Sequence, residues 1–142
     1  MSTSTFDLRV DASTNSLVPA IGRLLIAAIF LLSGVGKIFN PAGTQAYIAA
    51  AGLPLPEVSY AIALTVEIGG GLLLLLGYRT RLAALGLAIF TLMAAVGFHH
   101  NFADQNQMIH FLKNLAIAGG LLQVVTFGAG GFSLDARSGR SR

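Results

Sequence analysis

Residues 58–78 read VSYAIALTVEIGGGLLLLLGY, and the fold turns on this stretch. About 20 nearly unbroken apolar residues is the length an α-helix needs to cross roughly 30 Å of hydrocarbon. One charged residue interrupts the run, Glu67, close to its middle. An ionised side chain at the bilayer centre costs about 2.5–3.5 kcal/mol on the mildest scales, so Glu67 is expected to face protein or a wet cavity. It shares one helix face with Tyr60, Ala63, Gly70 and Leu74, at alternating spacings of three and four. That face predicts a bundle, and the remaining chain must supply the other helices.

Composition agrees. Of 142 residues, 54% are hydrophobic and only 11% charged, with mean hydropathy +0.73. An ordinary soluble domain carries about 25% charged residues, so this chain is read as an integral membrane protein with the lipid bilayer as its first partner. The net charge of +3 forms no basic patch, because nine basic residues are spread among apolar runs. Nucleic acid is therefore not an expected partner. With no cysteine, the chain itself can offer no dithiol relay, thiolate metal site or thiolate-held cluster.

Taken in order, residues 1–16 are polar and Ser/Thr-rich, which predicts a mobile tail. The apolar run that follows is too long for a secretory signal and lacks a small-residue cleavage site. The first span is Leu17 to Phe39. Its Arg23, Ala27, Phe30, Gly34 and Lys37 alternate at four and three, so both charges share a stripe. They are read either as interfacial anchors or as an inward functional stripe. Asn40-Pro41 has the form of a helix cap and first residue, opening a segment that ends at Gly52. About ten residues cannot span a bilayer, so this helix should lie at the interface or fold over the bundle mouth. The Glu67 span ends in a basic turn with Arg79 and Arg81. A third span covers 82–98, with Ala84, Ala88, Thr91 and Ala95 as a small-residue packing stripe. A polar hairpin, 99–107, holds His99, His100 and Asp104. The fourth span, 108–127, opens with His110, Lys113 and Asn114 on one side. Residues 128–142 form a glycine-rich, then basic, tail. The reading is an all-α, four-helix integral membrane bundle over 17–127 with a short interfacial helix between spans 1 and 2, flanked by two tails.

Four spans put both termini on one side. Arg9, Arg23, Arg79, Arg81, Arg137, Arg140 and Arg142 share that side, while only Lys37 and Lys113 lie on the other. The positive-inside rule makes the termini cytoplasmic and the lysine end the outer one.

The assembled pieces resemble the DoxX family of small four-helix membrane proteins. They are GRLLIAAIFLLSGVGKIFNP at 22–41, the Pro-rich connector, and Glu67 with its Gly- and Leu-rich run to Gly-Tyr-Arg-Thr-Arg at 77–81. His110-x-x-Lys113-Asn114 and Gly-x-Gly-Gly-Phe-Ser-Leu-Asp at 128–135 complete the set. The resemblance spans most of the chain and leaves out residues 1–16 and those beyond Asp135. It implies a multi-pass protein of the bacterial inner membrane. The family takes its name from a membrane subunit of an archaeal thiosulfate:quinone enzyme, and some relatives resemble membrane anchors for partners that handle sulfur or oxidative stress. The positions at stake are Arg23, Lys37, Glu67, His110, Lys113 and Asn114, none of which the resemblance makes catalytic.

Depth along the helices gathers Glu67, Lys113, Lys37 and His110 in the outer half, with His99 and His100 above. Such a cluster can hydrogen-bond quinone oxygens and move protons. Glu67, Lys113 and His110 are the candidates for proton chemistry, and Lys37, Asn114 and Arg23 for ligand binding. Lys113 is expected to be the nearest counter-charge of Glu67, Lys37 the second, with Arg23 in the opposite half. An elongated apolar pocket between the helices is expected beside them. The alternative is that Glu67 and a lysine only neutralise each other. His99 or His100 and His110 bracket a hairpin near the surface, a poor position for haem, so neither haem nor metal is expected. The glycines at 69–71 sit inside a span without a following Lys-Ser or Lys-Thr, so they form no phosphate loop and serve helix approach. Two function classes remain: a quinone-linked component of a membrane oxidoreductase with a partner subunit holding the redox centre, or a non-enzymatic anchor, assembly factor or small-molecule carrier. A homo-oligomer fits either class.

Overall fold

In hydrocarbon a backbone has no water to bond to, so each apolar run closes its own hydrogen bonds as a helix. The computed structural model describes residues 12–139. Four helical spans are long and apolar enough to cross a membrane: Leu17–Phe39, Pro56–Leu76, Thr80–Phe98 and Gln105–Phe127. The first lies within α1 (Ala12–Phe39), followed by the short α2 (Pro41–Ala50). The second is composite: α3 (Pro56–Thr65), a π-helical turn (Val66–Gly70) and α4 (Gly71–Leu76). Then come α5 (Thr80–Phe98), α6 (Gln105–Phe127) and the one-turn α7 (Leu134–Arg137). The result is an all-α membrane four-helix bundle.

The polar segment 1–16 is in part helical, which corrects the expected tail: α1 starts at Ala12. Extending a formed helix fixes one residue per added hydrogen bond and needs no new nucleus, so a span can run on into polar sequence. The mobile tail expected over 1–11 lies outside the described residues. Both α2 and α6 open on side-chain caps. Asn40 Oδ1 accepts from Gly43 N at 3.1 Å, with Pro41 as first helical residue. Asp104 Oδ1 accepts from Asn106 N and Gln107 N at 2.8 and 3.2 Å, which sets the start of α6 three residues before the apolar run. The short α2 folds over one end of the bundle: Ile48 is buried and the Tyr47 ring stacks on Phe98 of α5, centroids 5.2 Å apart.

Local sequence permits the π-helical turn, and packing against neighbouring helices fixes it. Thr65 Oγ1 donates to the carbonyl of Ala61 at 2.8 Å, a back-bond that loosens the ladder where the turn begins. Gly69, Gly70 and Gly71 follow and carry no side chains to crowd the wider turn. The glycines also bring neighbours close: a Cβ on Gly71 would sit 2.9 Å from Leu31 Cδ2, and one on Gly70 3.0 Å from Leu87. On α1, a Cβ on Gly34 would stand 2.6 Å from Ile68 Cδ1. The core joins Ala27, Phe30, Leu74, Ala84, Leu87, Ala88 and Leu121, residues from all four spans. The second span lies between α1 and α5, while α6 packs chiefly on α5 and touches α1 lightly. The bundle ends can be named by residues they carry, the Lys37 end and the Arg23 end.

Candidate functional site

At the Lys37 end the inward stripe of α1 meets the π-turn. Glu67 is 5% exposed, and its Oε1 accepts from Lys37 Nζ at 2.9 Å and from Ser33 Oγ at 3.2 Å. Oε2 lies 2.9 Å from the same ammonium, a close ionic contact without hydrogen-bond alignment. Lys37 Nζ also donates to Ser33 Oγ at 2.8 Å, so the hydroxyl bridges cation and carboxylate. Tyr60, about two turns nearer the Lys37 end, donates its hydroxyl to the Lys37 carbonyl at 3.1 Å. The π-turn widens the helix where Glu67 projects, a feature frequent at functional sites. The group is not sealed: the Ser33 residue is exposed and the Lys37 side chain is 22% exposed. Chemically it is a carboxylate with an ammonium and one hydroxyl, that of Ser33, bonded to it.

The expected pairing of Glu67 with Lys113 is corrected, because the partner is Lys37. Lys113 is exposed and its ammonium donates to His110 Nδ1 at 3.0 Å, on the outer face of α6. The reason is neighbourhood: the second span packs against α1 and α5, and α6 against α5. His110 stacks on His99, centroids 5.0 Å apart, and His99 Nδ1 is 3.0 Å from Gln107 Oε1. His100 bonds only locally, its Nδ1 3.1 Å from the Val96 carbonyl, and Asn114 is half-buried on α6. The six candidates therefore divide among Glu67 with Lys37, His110 with Lys113 and nearby Asn114, and Arg23 at the far end. Among the described residues no three His, Cys, Asp or Glu side chains form a metal-binding group.

Two cavities lie elsewhere than the interhelical position expected for a pocket beside Glu67. One cavity, of about 460 Å³, lies along the exposed face of α3 from Glu57 to Val66, opposite the Glu67 stripe. The other, of about 310 Å³, is at the Arg23 end. Small residues let the helices close on one another there, so the Glu67 cluster meets the surface sideways through Ser33 and Lys37.

Arg23 is 3% exposed and satisfies the far end of the bundle. It donates to the carbonyls of Leu74, at 3.4 Å, and of Phe132. Phe132 belongs to the segment after the last span, which folds back against the bundle instead of trailing from it. Asp135 in that segment is 6% exposed. Its carboxylate accepts from Arg79 N at 2.9 Å, Thr80 N at 2.8 Å and Thr80 Oγ1 at 2.7 Å, capping α5 from 55 residues away. Its own amide donates to the Gly77 carbonyl at 2.8 Å. Gly77 has φ +66, and a Cβ there would stand 2.0 Å from Arg23 Nη1. Sequence reading missed Ser33, Thr80 and Asp135 as partners. For Ser33 the signal was present, since Ser33 and Lys37 are one helical turn apart.

The spans, the intramembrane ion pair and the buried arginine define a small multi-pass membrane protein. The chain belongs to the DoxX family, whose model matches residues 18–100. It is 43% identical over 118 residues to inner membrane protein YqjF of Escherichia coli strain K12, covering 81% of this chain and 87% of that one. It is 36% identical over 122 residues to inner membrane protein YphA of the same strain, covering 82% and 87%. No solved structure matches.

Proposed function

We propose that this protein is a membrane component of a quinone-linked redox system in the bacterial inner membrane, with both termini cytoplasmic and its redox centre held by a partner subunit. The observation that supports this reading is a buried carboxylate reachable from the lipid side through Ser33 and Lys37. A quinone moves in the same hydrocarbon. Its carbonyl oxygen can accept from the Lys37 ammonium or the Ser33 hydroxyl, and a quinol hydroxyl can donate to Glu67. A second buried oxygen, Thr91 Oγ1 on α5, also lacks a hydrogen-bond partner among the described residues. Glu67 and Lys37 are the residues proposed to handle protons and position the ring. His110, Lys113, Asn114 and Arg23 lie apart from them and are not part of this contact.

One observation favours the second reading, a non-enzymatic anchor: Lys37 and Glu67 already neutralise each other at 2.9 Å. Solvent extraction of quinone from protein purified in mild detergent separates the two. Under the first reading the wild type carries quinone and Glu67→Gln carries severalfold less while remaining folded. Equal quinone content in both, or none in either, leaves the anchor.

A further inference from the structure

The cavity at the Arg23 end is lined by Arg79, Thr80, Arg81, Leu82 and Asp135 and measures about 310 Å³. From this cavity we infer a binding site for the phosphate of one anionic phospholipid head group, held by Arg79 and Arg81. The inference is independent of any redox role.

Three observations support it. First, the cavity sits where a phosphate would be. The span opens at Thr80, so the residues before and after it lie at the edge of the hydrocarbon, level with the lipid head groups. Second, positive charge is in excess, two guanidinium groups against one carboxylate in the cavity wall. Arg79 and Arg81 are both exposed, and neither guanidinium makes an ion pair among the described residues. The acid in the cavity wall, Asp135, directs its carboxylate to the amides of Arg79 and Thr80 and the Thr80 hydroxyl. The amides at the start of α5 are thereby occupied, so an arriving anion is met by guanidinium groups, whose planar fork suits phosphate oxygens.

Third, the backbone is held in an unfavourable form to present them. Arg79 has φ 45 and ψ 41, the left-handed region that non-glycine residues enter at a cost. It follows Gly77, also left-handed, and its amide is pinned by Asp135. The Arg81 guanidinium runs beside Gly128 at the end of α6, where an added Cβ would lie 3.4 Å from its Nε. The turn and the returning C-terminal segment, through Asp135, both line this cavity. Strain of this kind, maintained by surrounding bonds, is a reason to look for function.

The test uses the full-length protein in mild detergent, with thermal unfolding followed after adding phosphatidylglycerol, phosphatidylcholine or inorganic phosphate. A ligand that binds only the folded state raises the midpoint as its concentration exceeds the dissociation constant. The expected result is a rise with phosphatidylglycerol and a much smaller one with the other two. The double variant Arg79→Gly, Arg81→Gln removes both charges while placing glycine where the backbone is left-handed. Its lipid-free midpoint should match or exceed the wild type's, while its phosphatidylglycerol affinity falls roughly tenfold or more. Full retention of the phosphatidylglycerol shift by that variant would overturn the site. An equal shift with phosphatidylcholine would overturn the charge recognition, and an equal shift with inorganic phosphate would overturn the lipid as its source.

Discussion

At the scale of single residues, Glu67 decides how this bundle is wired. A carboxylate 5% exposed in a membrane span must be neutralised or protonated, and Lys37 supplies the charge at 2.9 Å. Removing one member of a fully buried pair strands the other at about 3–5 kcal/mol. Lys37 keeps partial access to the interface and can snorkel, so Glu67→Gln is expected to cost about 1–3 kcal/mol in detergent melts. Adding Lys37→Met should recover much of that loss, whereas adding Lys113→Met should recover none. Recovery through Lys113 would show that the pairing described here is wrong. Gly77 is the second sensitive position. A methyl group there meets Arg23 Nη1 and Ser133 Cβ, 2.0 and 2.5 Å away, in a backbone form that disfavours alanine. Gly77→Ala is therefore expected to lower the melting temperature by more than Gly36→Ala, whose Cβ would meet nothing within 4 Å.

At the scale of elements, the π-helical turn and the returning C-terminal segment were hidden from sequence for different reasons. Glu67 and its glycines were visible as a charged, flexible interruption, but a π-turn is settled by how the helix fits its neighbours at Gly34, Gly70 and Gly71. Caps close in sequence were legible: Asn40 before Pro41 behaves as its residue type predicts. Asp135 was not, because it caps α5 across 55 residues and no local rule reaches so far. Asp135→Ala removes the acceptor of two backbone amides and a hydroxyl, which should destabilise the protein by about 2 kcal/mol or more. Hydrogen exchange should rise first at the start of α5. If exchange rises uniformly, or not at all, the segment is not a cap.

For the whole molecule, the proposed orientation makes a simple prediction. Reporters fused at the C-terminus and within the 99–107 hairpin should report opposite sides, with the C-terminus cytoplasmic; a periplasmic C-terminus would reverse every assignment of side. Much at this scale was determined by sequence alone. Four apolar runs of spanning length can only be helices in hydrocarbon, and their 3.6-residue stripes identify the inward faces carrying Arg23, Ala27, Phe30, Gly34 and Glu67. Which inward faces meet was another matter. Reading depth along each helix put Lys113 ahead of Lys37 as the partner of Glu67, and wrongly, because depth is a one-dimensional quantity. The lateral order of helices is set by close packing of small residues across pairs distant in sequence, and that order seats α1, not α6, against the π-turn. For the same reason the Glu67 cluster opens sideways through Lys37, and a tail of ordinary basic composition became the cap of α5: helical periodicity is a local property, while neighbourhood belongs only to the folded chain.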